Sequence, residues 1–116
     1  GDHAAALQCA DEAVDIARSI GGVHGEAIAQ RAAAVSLLRA SGDVERAQAR
    51  FDRAMALHAQ GDAHAERTYG ALLWGHELHR AGLAQRAAPW LAEARALAQL
   101  HGYELNRCEY DAAVAL

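Results

Sequence analysis

The chain has 116 residues, enough for one domain, and 53% of them are hydrophobic although only 5% are aromatic. Eleven basic residues against fifteen acidic ones leave a net charge of -4. Because non-specific binding to nucleic acids depends on cationic contacts, this balance argues against a segment that grips a phosphate backbone. No apolar run approaches the length of a membrane span, and no signal peptide is recognisable.

Three stretches of the sequence repeat one pattern at a spacing of about forty residues. They begin at Gly1, Gly42 and Gly82, which are 41 and 40 positions apart. A fixed period in this range is typical of stacked helical repeats, or solenoids. The sequence therefore predicts an all-α fold, a right-handed α-solenoid of antiparallel helix pairs.

Each stretch predicts one helix, and two further helical stretches lie between them. The expected helical segments, in chain order, are 1–22, 23–41, 42–62, 63–81, 82–102 and 103–116. The last segment opens a third copy of the pattern. About six antiparallel helices then form a single repeat domain over residues 1–116, which we expect to be a piece of a longer protein.

The third segment has the clearest amphipathic pattern. Val44, Ala47, Phe51, Ala54 and Leu57 recur at steps of three and four, which makes one apolar stripe on a helix. This stripe is expected to face the core.

Residues at the ends of these segments predict where the helices begin and stop. Asp2 and Asp43 can accept backbone N–H bonds as N-caps. Gly21, Gly61 and Gly102 are expected to end their helices in the left-handed conformation.

The repeat resembles the tetratricopeptide pattern, in which small and large residues alternate at fixed places of a helix pair, called A and B. The matching residues of one copy are Ala71, Trp74, Gly75 and Leu78 in helix A, then Ala87, Leu91 and Ala94 in helix B. Those of the preceding copy are Arg31, Ala34, Val35 and Leu38, then Ala47, Phe51 and Ala54. The first helix supplies Ala6, Ala10 and Ala13 at the same spacing.

The lengthened period of about 40 is similar to the repeats of the large ATP-dependent, LuxR-type (MalT-like) bacterial transcriptional regulators. The resemblance implies a repeat region that senses an inducer or a partner, flanked in the parent protein by a nucleotide-binding module and a DNA-binding helix-turn-helix. Neither the phosphate-binding loop nor the helix-turn-helix is in this sequence.

The A helices of such a solenoid line its inner face, so their polar residues are the candidate binding groove. The expected groove residues are Tyr69, His76, His79, Arg80, Arg39 and Ser36. The positions expected to share this face with them are Ala29, Ala32, Leu72, Glu109 and Ala112. Aromatic, imidazole and guanidinium groups can hold an anionic or peptidic ligand. The alternative is an ordinary solvated helix face.

Catalysis and metal binding have little support in the sequence. His76 and His79 are three residues apart without a third ligand, so no metal site is predicted. Cys9 and Cys108 are expected to be small buried residues in a reducing compartment, too far apart in a solenoid for a disulfide. No nucleophile with a neighbouring base occurs, and no catalytic residue or cofactor is expected.

We therefore expect a non-enzymatic, cytoplasmic interaction or sensor domain that binds a peptide, a protein or a small inducer within a bacterial transcriptional regulator. No direct contact with nucleic acid or membrane is expected from this segment. The alternative is an assembly scaffold, a homo-oligomer that self-associates through exposed solenoid ends.

Overall fold

The structure, a computed structural model, describes residues 2–103 and contains only helices and turns within that range. The five helices are α1 (His3–Ser19), α2 (Val23–Ser41), α3 (Val44–Gln60), α4 (His64–Arg80) and α5 (Ala84–His101). The all-α class is confirmed. The expected sixth helix, with Cys108, Glu109 and Ala112, lies outside the described residues.

The chain divides into two compact units, Gly1–Asp62 and Ala63–Leu116. In the first unit α2 packs against both α1 and α3. In the second unit α4 packs against α5. None of the described helices combines the length and the apolar character that crossing a membrane requires.

The apolar stripe of α3 forms as its sequence predicts. Ala47, Phe51, Ala54 and Leu57 are buried, and only Val44, in the first turn, is half-buried. Since α3 packs on α2, the stripe marks the face that these two helices share. The core of the first unit lies at this face and at the α1–α2 contact.

Both predicted N-caps are confirmed. Asp2 Oδ1 accepts a hydrogen bond from the backbone N–H of Ala5 at 3.0 Å. Asp43 Oδ1 accepts one from Arg46 at 3.2 Å. Each carboxylate satisfies a backbone donor that the first turn of its helix leaves without an intrahelical partner.

Two of the three glycines that were predicted to end helices in the left-handed conformation do so. Gly21 and Gly102 have φ values of 70° and 72°, the left-handed conformation. The prediction for Gly61 is wrong, because its φ is -92° and Asp62 takes the left-handed conformation instead, with φ of 52°. Aspartate tolerates this region better than most residues, so the turn can fall one residue later.

The contact between α4 and α5 depends on a missing side chain. A Cβ atom built on Gly75 would lie 2.7 Å from Leu91 Cδ2 and 3.3 Å from the Leu91 backbone nitrogen. Gly75 therefore lets α5 approach α4 closely. The neighbouring Trp74 is 1% exposed, so its indole fills the interior beside this contact.

Two imidazole rings join the beginning of α4 to the end of α5. The rings of His64 and His101 stack with centroids 4.0 Å apart and planes inclined by 15°. The Tyr103 ring lies 5.9 Å from that of His101. This stack closes one end of the helix pair, at the opposite end of α4 from Arg80.

Candidate functional site

One row of polar and aromatic side chains runs along α4, and we call it the α4 stripe: Tyr69, His76 and Arg80. Tyr69 and His76 are seven positions apart, about two turns of helix, and His76 and Arg80 are four apart, about one turn. All three therefore lie on one side of α4. Tyr69 is 50% exposed, His76 is half-buried, and the Arg80 side chain is 53% exposed. The structure thus brings three of the six expected groove residues into one row.

The side of α4 opposite the α4 stripe is buried. Ala71, Trp74 and Leu78 are at most 1% exposed and lie on the opposite side of the helix from Tyr69 and His76. Arg80 Nη1 lies 4.0 Å from Oε1 of the buried Glu77. The backbone that carries the α4 stripe is therefore fixed by packing, and an ion pair steadies its last side chain.

His79 is turned away from the α4 stripe, towards α5. It lies at the rim of an open groove of about 460 Å³. The other lining residues come from α5 and are Ala84, Ala88, Leu91, Ala92, Arg95, Ala96 and Gln99. We call this feature the α5 groove. Four of its eight lining residues are alanine, and the sequence did not predict this groove because no motif marks it.

The remaining expected groove residues belong to the first unit. Ser36 is half-buried and Arg39 is exposed, both on α2. Two of their expected companions are not accessible: Ala29 and Leu72 are each 6% exposed, so their assignment to an open face is wrong. Each lies next to the core-facing arc of its helix, where packing covers it.

A polar network, absent from the sequence prediction, connects the three helices of the first unit. Its centre is Glu26 on α2, which is 5% exposed. Glu26 Oε2 lies 3.2 Å from Arg18 Nη2 on α1 and 3.3 Å from Arg53 Nε on α3. Gln30 Nε2 donates to the same oxygen at 3.2 Å. One carboxylate oxygen therefore links all three helices.

The network continues through Gln30 to a second ion pair. Arg50 Nε on α3 donates to Gln30 Oε1 at 2.6 Å. Arg50 Nη2 donates to Asp11 Oδ1 on α1 at 2.5 Å. The amide of Gln30 thus acts as donor to Glu26 and as acceptor from Arg50, which fixes its orientation. We call these six residues, with Glu26 at the centre, the Glu26 network.

The charge of Glu26 is stabilised by its partners. Burial by itself raises the pKa of a carboxyl group, but the bonds from Arg18, Gln30 and Arg53 outweigh it and hold the pKa of Glu26 below its ordinary value of 4.5. A buried carboxylate paired in this way is a structural tie between helices. The sequence held one weak signal, two polar residues four apart on a helix otherwise rich in alanine.

Residues 2–103 contain no group of three or more His, Cys, Asp and Glu side chains that could hold a metal ion. Cys9 is exposed, so the expectation that it is buried is wrong. Among the described helices only α2 packs against α1, and Cys9 does not lie on the side of α1 that is buried there.

Comparison with known proteins adds no relative: neither a family model, a curated protein nor a solved structure matches this chain. The function must therefore be argued from its residues.

Proposed function

We propose that this chain is a non-enzymatic helical-repeat domain that binds a peptide or protein partner through the α4 stripe. The observation that supports it is the row of Tyr69, His76 and Arg80 on a helix whose opposite side is tightly packed. Packing fixes the helix backbone that carries the three groups before a ligand arrives, so no backbone ordering is needed on binding.

The chemistry of the row favours an anionic ligand. Arg80 offers a planar set of donors that suits carboxylates, and Tyr69 offers a flat apolar surface with a hydroxyl group. An acidic peptide with an aromatic residue combines both features. A small inducer with a carboxylate group would use the same contacts.

The finer architecture belongs to this proposal. We take the helix pairs as a right-handed, tetratricopeptide-like solenoid with a period of about 40 residues. Support comes from the helix beginnings: α2 and α4 begin 41 residues apart, and α3 and α5 begin 40 apart. The sequence resemblance to MalT-like regulators is the support for a sensor role in a cytoplasmic bacterial transcriptional regulator.

The test is a titration of the ¹⁵N-labelled chain with the acidic peptide Glu-Glu-Tyr-Glu-Glu, followed by amide chemical shifts. Shift changes should cluster at Tyr69, His76 and Arg80. Arg80→Gln should weaken binding about tenfold, the cost of losing one charge-assisted bond. The matched control, Arg95→Gln on α5, should bind as the unaltered chain does. No shift at millimolar peptide, or equal losses in both variants, would contradict the assignment.

A second candidate function is self-association. Ile16 on α1 and Ile20, the residue directly after α1, are 63% and 77% exposed. Large apolar side chains that adjoin one another on a surface often mark an interface between proteins. Sedimentation velocity over a range of concentrations tests it, and a chain that stays monomeric throughout would exclude it.

A further inference from the structure

His76 occupies the middle of the α4 stripe, and histidine is the side chain whose ordinary charge change falls between about pH 5 and 8. It stands seven positions after Tyr69 and four before Arg80. Its side chain is half-buried, so part of it remains accessible to a ligand that covers the row. The α4 stripe therefore contains one group whose charge depends on pH, beside an arginine whose charge does not.

The fixed positive charge of this row is largely offset. Arg80 Nη1 lies 4.0 Å from Oε1 of the buried Glu77. Arg80 is also the last residue of α4, and the C-terminal end of a helix carries partial negative charge. An anion that approaches Arg80 therefore meets a carboxylate and the helix end in addition to the guanidinium group. Its net attraction to this end of α4 is smaller than a single isolated guanidinium would give.

Apart from Glu77, the residues placed around His76 along α4 and at the α5 groove are apolar or basic. One turn before it on α4 stands Leu73. Three residues after it, His79 is turned towards the α5 groove. On α5, the helix that packs against α4, Arg95 lines the same groove. A positive charge on His76 would therefore find its carboxylate partner on the ligand.

We propose that binding of the acidic partner at the α4 stripe is linked to protonation of His76 and tightens as pH falls from about 7.5 to about 5.5. This inference rests on the peptide-binding function proposed above and adds its regulation. The imidazolium group supplies a second cationic donor one turn from Arg80, so the carboxylates of the ligand meet two positive charges. Glutamate side chains of the ligand stay ionised over most of this range, because their ordinary pKa is about 4.3.

The charge of the whole chain changes in the same direction. The net charge is -4 when the seven histidines are neutral, so protonation of all of them reverses its sign. Long-range attraction for an anionic ligand then also rises, through every histidine of the chain. A local role of His76 differs from this general effect, because it disappears when His76 alone is replaced.

The test measures the Kd of the full chain for Glu-Glu-Tyr-Glu-Glu, with both peptide ends blocked, at several pH values and one ionic strength. Amide chemical shifts give the Kd, which should fall about tenfold over the range, the size of one added charge-assisted hydrogen bond. Near the middle of the range, added peptide should move the imidazole resonances of His76 towards their positions in acid. The neutral peptide Gln-Gln-Tyr-Gln-Gln should show no tightening on acidification.

Matched substitutions assign the effect to one histidine. His76→Gln keeps a polar side chain that cannot be protonated, so its Kd should vary by no more than about twofold over the same range. His79→Gln makes the same change three residues further on, and His3→Gln makes it at the start of α1 in the first unit. Both should keep the tightening of the unaltered chain. Circular dichroism at each pH checks that the variants are folded.

The possible results distinguish this inference from the function on which it rests. Equal Kd at both ends of the pH range, or tightening that His76→Gln retains, would overturn the inference and leave peptide binding in place. Equal reductions in His76→Gln, His79→Gln and His3→Gln would assign the tightening to net charge and would also overturn it. No binding of the acidic peptide at any pH would overturn both. If His76→Gln does not fold, the two peptides and the His76 resonances of the unaltered chain still decide.

Discussion

The α2–α3 and α4–α5 pairs use the same residue spacing but place their bulk on opposite helices. In the first pair the large buried ring is Phe51 on α3, and the facing helix α2 has the small residue Ala34. In the second pair the large ring is Trp74 on α4, and Leu91 stands where Phe51 does. The spacing fixes where the helices meet. The large side chain can come from either helix, because the interior need only be filled to its usual packing density.

The pairs also differ in how polar groups contribute. Gln30 and Arg50 belong to the Glu26 network of the first unit. Forty positions later the same places hold Gly70 and Trp90, which cannot form those bonds. The first unit is therefore tied by charge in addition to apolar contact. The comparison shows that one repeat pattern can support two kinds of helix contact.

The largest expected effect concerns Trp74, the large buried side chain of the α4–α5 pair. Trp74→Ala should lower the free energy of unfolding by about 3–5 kcal/mol, because it removes a fully buried ring and leaves a cavity. Urea denaturation followed by circular dichroism measures the change.

The control for this prediction is an exposed large residue of the same pair. Leu100 is 74% exposed, so Leu100→Ala should change stability by less than about 0.5 kcal/mol. Equal effects of the two substitutions would show that Trp74 does not carry the packing of α4.

The next prediction concerns the close contact at Gly75. Gly75→Ala should destabilise by about 1–3 kcal/mol, because the new Cβ would lie too near Leu91 and one helix must move. The double variant with Leu91→Ala should lose less stability than the sum of the two single losses, and a double-mutant cycle would measure that difference as coupling.

Gly25 provides the matched control for this substitution. A Cβ there would meet Ala17 Cβ at 3.6 Å, an ordinary contact. Gly25→Ala should therefore stabilise α2 by about 0.5–1 kcal/mol, the helix preference for alanine. If both glycine substitutions had the same sign, the close α4–α5 contact would be in doubt.

A prediction of similar or smaller size concerns the polar tie of the first unit. Glu26→Gln should cost about 1–3 kcal/mol in urea denaturation, because the bonds from Arg18 and Arg53 lose their charged acceptor. Glu12→Gln, at an exposed position of α1 in the same unit, serves as the control and should cost less than about 0.5 kcal/mol.

The same network predicts a pH dependence. Since the pKa of Glu26 in the folded chain lies below 4.5, its contribution is present above that pH and is lost as pH falls through the folded pKa. Unfolding followed at several pH values should therefore show stability declining on acidification, with a shallower decline in Glu26→Gln. An identical decline in both would assign the acid sensitivity to other carboxyl groups.

The smallest expected effect distinguishes the α4 stripe from the core behind it. Tyr69→Ala should change the free energy of unfolding by no more than about 0.5 kcal/mol, because half of the side chain is exposed. It should nevertheless weaken binding of the acidic peptide. A large loss of stability would mean that Tyr69 belongs to the packing.

Local signals account for what the sequence predicted well. The stripe of α3 and the N-caps Asp2 and Asp43 depend on neighbours within one or two turns, so spacing alone predicts them. The row of Tyr69, His76 and Arg80 follows from the same periodicity. His79 does not lie in this row, because it stands one residue before Arg80 and therefore about 100° around the helix, where it faces α5.

Contacts between helices account for the rest. By itself, the sequence determined the all-α class, the positions of the helices and the apolar side of α3, because each depends on a repeating local pattern. Only the tertiary structure decided that Glu26 is buried between Arg18 and Arg53 and that Cys9 is exposed. Those outcomes depend on which helix lies beside which, and distances between side chains far apart in sequence are not encoded in any single helical period.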